Sequence, residues 1–117
     1  KLLKLVMSQT SARHFFAEQL AQRITPEWAE STGGVVFQFH VSGDTGGSWI
    51  VDLNRTGNWV CEGQDDAADC TIGLSEEDLI AIVDGQLNPN MAYMLGKLRI
   101  TGNISLSLKI PSLLVGR

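Results

Sequence analysis

The sequence has no long apolar run, no cluster of basic residues, only two cysteines and only two histidines, and each shortage closes a class of function. No apolar stretch approaches the ~20 residues that cross a bilayer as a helix, so no integral membrane segment is expected. Nine Lys and Arg are spread from Lys1 to Arg117 without a run, and the formal net charge is −4. Neither nucleic-acid phosphates nor an anionic membrane is offered a concentrated footprint by that spread, and no nucleic-acid partner is expected. Cys61 and Cys70, nine positions apart in predicted strands, read as buried free thiols of a reducing compartment, with a disulfide between them as the less common alternative; without a nearby His they make no zinc site. The Gly-rich SGDTGG loop lacks the following helix and the Lys that a phosphate cradle needs. The acidic stretch from Glu62 to Asp69 lacks the ligand spacing of a calcium loop. Ser75, His14 and His40 sit in no nucleophile motif, and the acid and base candidates lie on different elements. No catalytic residue, metal or cofactor is therefore expected.

What is present is ordinary globular material. With 117 residues, 44% of them hydrophobic and 19% charged, the chain reads as one domain over residues 1–117 with a single core. Residues 1–7, KLLKLVM, read as a flanking segment whose apolar run is too short for a signal peptide. The start at Lys1 instead of Met makes a fragment of a longer protein one expectation.

Periodicity divides the chain into helices at both ends of a strand-rich middle. Residues 8–24 predict a helix capped by Ser8 or Thr10, with Phe16, Leu20 and Ile24 along one edge. Thr25-Pro26 opens a short second helix with Trp28 turned inward. Strands follow at 35–41, 48–54 and 58–63, each alternating apolar and polar, and three such short runs in succession predict an antiparallel meander. A fourth strand at 68–74 leads into a helix opened by Ser75 and Asp78 and closed by Gly85.

The stretch from Asn88 to Ile110 carries the most information. Asn88 can cap a short helix, Pro89 suits its first position, and Gly96 can take a left-handed exit. Residues 97–101 then alternate as a half-solvated strand. Asn88, Pro89 and Ala92, then Gly96-Lys97-Leu98-Arg99-Ile100-Thr101-Gly102-Asn103, then an apolar end, resemble the C-terminal half of the sterol carrier protein 2 (SCP2) domain. GGVVFQFHVSG, GGSWIVDL and ADCTIGLSEEDL resemble that family's strand segments in the same order, so the likeness runs from Phe15 to Leu114. The resemblance implies an α+β fold: a five-stranded, mostly antiparallel sheet covered on one face by helices, with a hydrophobic tunnel. It also implies a helix from Ile104 onward, where local alternation predicts a strand, and Pro111 should end or kink that helix.

Guided by the resemblance, the expected apolar pocket consists of Met91, Met94, Leu95, Leu98, Ile104, Leu106, Leu108, Ile110 and Leu113; the sequence pattern itself supports only their apolar facing. An empty cavity costs ~24 cal/mol per Å³, so a void of a few hundred Å³ calls for an occupant. The implied function is non-enzymatic binding and transfer of lipid, whether fatty acid, fatty acyl-CoA or sterol-like, with transient membrane contact. One alternative is an accessory domain of a larger enzyme, serving as a lid or assembly surface. Another is a filled core that acts only through a partner. Cytoplasm is the default setting, since Val115-Gly116-Arg117 is not a Ser-Lys-Leu type address.

Overall fold

The computed structural model describes residues 11–44, 46–55 and 57–114. The expected caps Ser8 and Thr10 and the segment 1–7 lie outside these. Ser11 caps the first helix instead, its hydroxyl accepting from the His14 amide at 3.2 Å. This helix, α1, covers residues 12–23 and is not uniformly α-helical: Phe15–Leu20 winds as a π-helix between α-helical Ala12–His14 and Ala21–Arg23. The wider turn sets Phe15, Phe16 and Leu20 toward the core, and all three are fully buried. Thr25 then caps α2, Pro26–Ser31, with Pro26 at the position where a missing N–H costs nothing.

Five strands form one sheet: β1 Val36–Ser42, β2 Gly47–Asp52, β3 Val60–Glu62, β4 Cys70–Ser75 and β5 Arg99–Gly102. Their order is β3-β2-β1-β4-β5. The meander β1-β2-β3 is antiparallel, as its short connections require, and β4 pairs antiparallel with β5. The centre is parallel, with Phe37 beside Cys70 and Phe39 beside Ile72. One face carries Phe37, Phe39, Val41, Trp49, Val51, Cys70, Ile72 and Leu74, all buried. Helix α1 lies on it: the Phe16 ring stacks on Trp49 at 5.2 Å and tilts against Phe39 at 5.1 Å.

Gln38 belongs to the opposite face yet is 2% exposed. Its side-chain amide donates to the carbonyls of Trp49 and Gly63 at 3.1 and 3.0 Å, and its Oε1 accepts from the Asp65 amide at 2.6 Å. A single buried amide thus folds the acidic loop after β3 back over the sheet.

Helix α3, Glu76–Val83, begins at Ser75, whose hydroxyl accepts from the Asp78 amide at 3.1 Å; Glu76, Glu77 and Asp78 favour its positive end. Helix α4, Pro89–Met94, is capped by Asn88, whose Oδ1 accepts from the amides of Asn90 and Met91. It ends as the sequence predicts. Gly96 takes a φ of +77°, the Gly96 amide donates to Tyr93 and the Lys97 amide to Ala92, which satisfies the last carbonyls. The terminal segment is helical, not a strand: Ile104–Lys109 forms a 3-10 helix capped by Asn103, followed by α5, Ile110–Leu114. Pro111 sits in the first turn of α5. Having no N–H, it leaves the Ser107 carbonyl to the Ile110 amide, a bond of the tighter winding that precedes it.

Candidate functional site

An apolar groove of about 370 Å³ opens where the end of α1, the start of α2 and α5 converge. It is lined by Leu20 and Arg23 of α1, Ile24 and Thr25 after it, Trp28 of α2, and Ser112 and Leu113 of α5. The size falls in the range of small-molecule pockets, and the lining is mainly hydrophobic with one cation. Arg23 is half-buried there. Its Nη1 donates to the carbonyl oxygens of Leu114 at 2.8 Å and Leu113 at 3.3 Å, and its guanidinium lies 5.4 Å from the centre of the Phe15 ring. The side chain therefore ties the last helix to the first. Burial lowers the Arg23 pKa from its ordinary value, because lost hydration disfavours the charged form. An arginine starts high enough to stay cationic at neutral pH all the same.

The nine apolar residues expected from the sequence do not gather around one void. Leu113 lines the groove just described. Leu98 and Ile110 are buried and line a separate cleft between α4, β5 and the 3-10 helix, which holds only about 40 Å³. Leu106 is half-buried against the core. Met91, Met94, Leu95, Ile104 and Leu108 are exposed, Met94 at 78% and Leu108 at 83%. The reason lies in α4, which buries Ala92 alone among its six residues and so turns its thioether side outward. The expected tunnel between the sheet and the C-terminal segments is not shown in this structure.

A further recess of about 450 Å³ between α2 and the β2–β3 turn includes Glu27, Glu30, Asn54 and Arg55 beside Leu53 and Trp59, a charged lining ill suited to an alkyl chain. Cys61 and Cys70 are free thiols, the first half-buried and the second fully buried. Burial, and secondarily the neighbouring Asp69 charge, raises the Cys70 pKa. Asp52, on the polar side of its strand, pairs with Arg55 at 3.4 Å. Among the described residues, no group of three or more His, Cys, Asp or Glu could hold a metal ion, and no helix is long and apolar enough to cross a membrane.

The sequence of residues 3–115 matches a known family, the SCP-2 sterol transfer family. The chain belongs to the SCP-2 sterol transfer family. Within it, the chain is 42% identical over 80 residues to hydroxysteroid dehydrogenase-like protein 2 of Rattus norvegicus, covering 68% of this chain and 15% of that protein. It is 37% identical over 90 residues to sterol carrier protein 2 of Homo sapiens, covering 74% of this chain and 16% of that protein. The SCP-2 module thus spans a small part of the length of either relative. Among solved structures, palmitated SCP2L2 of Aedes aegypti superposes with a TM-score of 0.68 at 26% identity, over 89% of this chain and 94% of that one. The α+β fold read from the sequence is the SCP-2 fold, with a mixed sheet.

Of the groove residues, Leu20 and Ile24 stand on the stripe that the sequence periodicity marks, and Trp28 is the residue expected to turn inward. Arg23 has no such signal. A charged residue beside an apolar stripe is ordinarily solvated, and its hydrogen-bond acceptors come from the return of α5, 90 residues further along.

Proposed function

We propose that this domain binds and carries fatty acids or similar slender apolar ligands, including fatty acyl-CoA and sterol-like molecules, without performing a reaction on them. The observation that carries the reading is the groove itself, where Leu20, Ile24, Trp28 and Leu113 stand beside Arg23, Thr25 and Ser112. An acyl chain laid along Leu20, Ile24, Trp28 and Leu113 gains ~0.8 kcal/mol per methylene removed from water, before association costs. A carboxylate at the chain's end meets the arginine. The palmitated state of the Aedes aegypti relative supports the same ligand class. On this reading Leu113 is the one expected pocket residue that meets the ligand in the groove, while Leu98, Leu106 and Ile110 pack beneath the C-terminal helices and the exposed Met91, Met94, Leu95, Ile104 and Leu108 remain available for transient membrane contact. Two free thiols suit a reducing compartment such as the cytoplasm.

Brominated fatty acid, which quenches tryptophan only at short range, tests this directly. Titration should quench the native fluorescence, and Trp28→Phe should remove most of the ligand-induced quenching while leaving Trp49 and Trp59 in place. Equal quenching in both proteins would put the ligand elsewhere and overturn the assignment of the groove.

The small share of each relative that the module covers supports a second reading, an accessory domain that hands lipid to a catalytic neighbour in a longer chain. The intact mass of the natural protein separates the two.

A further inference from the structure

Glycine in the interior of a strand weakens it, yet Gly73 stands in β4 with a paired strand on each side. Its φ is not positive, so no turn or bulge calls for it. Ile72 and Leu74 beside it face the core, so Gly73 belongs to the opposite face of the sheet, where His40 and Arg99 are exposed. The pairing register sets His40 of β1 on one side of Gly73 and Arg99 of β5 on the other. Arg99 leans over the glycine: a Cβ there would lie 3.8 Å from both its Nε and its Nη2. Neighbouring strands run ~4.8 Å apart, so the His40 and Arg99 backbones are separated by roughly 10 Å, with no side chain rooted between them.

Both side chains have donors to spare. Among the described residues Arg99 has no ion pair and no hydrogen bond, while Lys97, two residues earlier, is held at 3.8 Å by Asp78. His40 Nδ1 stands 2.9 Å from the Ser48 hydroxyl. With that hydroxyl donating, Nε2 carries the ring hydrogen, and a cationic ring donates from both nitrogens. The acids of this face are occupied or set apart. Asp52 pairs with Arg55 at 3.4 Å, and the Asp69 carboxylate accepts from the Val36 amide at 2.8 Å. Asp65 and Asp66 belong to the loop that Gln38 holds over the sheet. Gln38 lies about 7 Å from His40 along their strand and about 10 Å from Arg99 across the sheet.

We propose that His40 and Arg99 bind a tetrahedral dianion above Gly73, the phosphate of a soluble phosphomonoester. The donors reach the patch from two sides, and a tetrahedral group presents oxygens to both, where a carboxylate presents its pair in one plane. The guanidinium fork matches phosphate geometry. The missing side chain at Gly73 lets an oxygen approach the sheet closely. Asp65 and Asp66 select a small ligand over a broad anionic surface: a plane of negative charge laid on this face presses against both, whereas one phosphate between His40 and Arg99 sits away from their loop. The inference stands apart from lipid carriage, because the groove lies among the helices on the other side of the sheet.

Titration of the isotope-labelled full chain with inorganic phosphate and with glycerol phosphate, at constant ionic strength against chloride, tests it through amide chemical shifts. The His40, Gly73 and Arg99 signals should move saturably with a midpoint on the order of millimolar, and chloride should move none of them. Arg99→Gln, at an exposed side chain, should weaken binding about tenfold, and His40→Gln at least about threefold. Gly73→Val fills the gap with a good strand former, so binding should be lost while Tm stays at or above the wild-type value. Fatty-acid binding should be unaltered in Arg99→Gln, which keeps the fate of the carrier reading separate from this one. Shifts that do not saturate, that chloride reproduces, or that survive Arg99→Gln or Gly73→Val overturn the proposal. So does flotation with phosphatidic acid vesicles that Arg99→Gln abolishes, which would make the anion a lipid headgroup. A Gly73→Val protein that melts lower, beside an Arg99→Gln protein that binds phosphate normally, would make Gly73 a packing residue and Arg99 a solvated cation.

Discussion

Replacing Arg23 by Met separates the two tasks that the structure gives this side chain. The substitution keeps an apolar stem of similar width and deletes the guanidinium. What goes is one charge-assisted donor to the Leu114 carbonyl at 2.8 Å, a longer contact to Leu113 at 3.3 Å, and a cation 5.4 Å from the Phe15 ring. Hydrogen bonds to charged groups contribute about 1.5–3 kcal/mol, but a half-exposed site regains part of that from water, and a thioether against Leu20 and Leu113 regains a little more. A net loss of about 1.5–2 kcal/mol is expected. In a domain of this size it lowers Tm by roughly 5–10 °C. Arg23→Lys, able to reach one carbonyl with a smaller donor set, should fall between the two. The second task is read by comparing displacement of a fluorescent acyl probe by a fatty acid and by the alcohol of equal length. Wild type should favour the acid by about tenfold, the worth of one charge-assisted contact, and Arg23→Met should bind both alike. A melt within a degree of wild type would refute the tie between α1 and α5. An undiminished acid-to-alcohol ratio would refute the meeting of Arg23 with the headgroup.

Gln38→Leu leaves the Gly63 carbonyl and the Asp65 amide without their buried partner, so urea unfolding should show a loss of about 2–4 kcal/mol, with β3 and its following loop exchanging amide hydrogens faster. Gly102→Ala asks an L-residue to hold a φ of +92° with its Cβ 2.7 Å from the Asp69 carbonyl oxygen, and should cost about 2–3 kcal/mol by the same measurement. Iodoacetamide should alkylate Cys61 in the native protein and Cys70 only on unfolding, as peptide mapping will show. Because the folded state raises the Cys70 pKa, it holds the thiol proton more tightly than the unfolded chain. That contribution is intact below the unfolded value of ~8.5 and is lost as pH rises from there through the folded value, so stability should decline on the alkaline side.

Helix ends and strand alternation were legible because their causes are local. Asn88, Pro89 and Gly96 each act within a few residues, and the structure uses them as cap, first turn and exit. The three-strand meander is legible for the same reason: short polar turns leave antiparallel pairing as the only close return. The parallel pairing of β1 with β4 is not, since it depends on which edge of the meander the fourth strand joins, and nothing in Cys70 to Ser75 names a neighbour. The π-helical winding of Phe15–Leu20 is equally silent. It is set by how two adjacent phenylalanines both reach the sheet, which is a tertiary demand. The terminal segment misled local reasoning for a further reason. Ile104, Leu106, Leu108 and Ile110 alternate like a strand, yet after Gly102 the chain leaves the sheet, and Asn103 caps a helix with an oxygen that accepts from the Ser105 amide at 3.2 Å. The family resemblance supplied what periodicity could not.

The site was legible only as a quantity of apolar surface. A period of two or of 3.6 says which side chains share a face, but it does not say what that face will meet, and a pocket is a property of two faces that fail to close. Met91, Met94 and Leu95 share a stripe on α4 in sequence and in the structure; because α4 is held to the core through Ala92, the stripe looks outward. Leu113 shares no stripe with Leu20 or Trp28, which precede it by more than 80 residues, and yet those three line one groove.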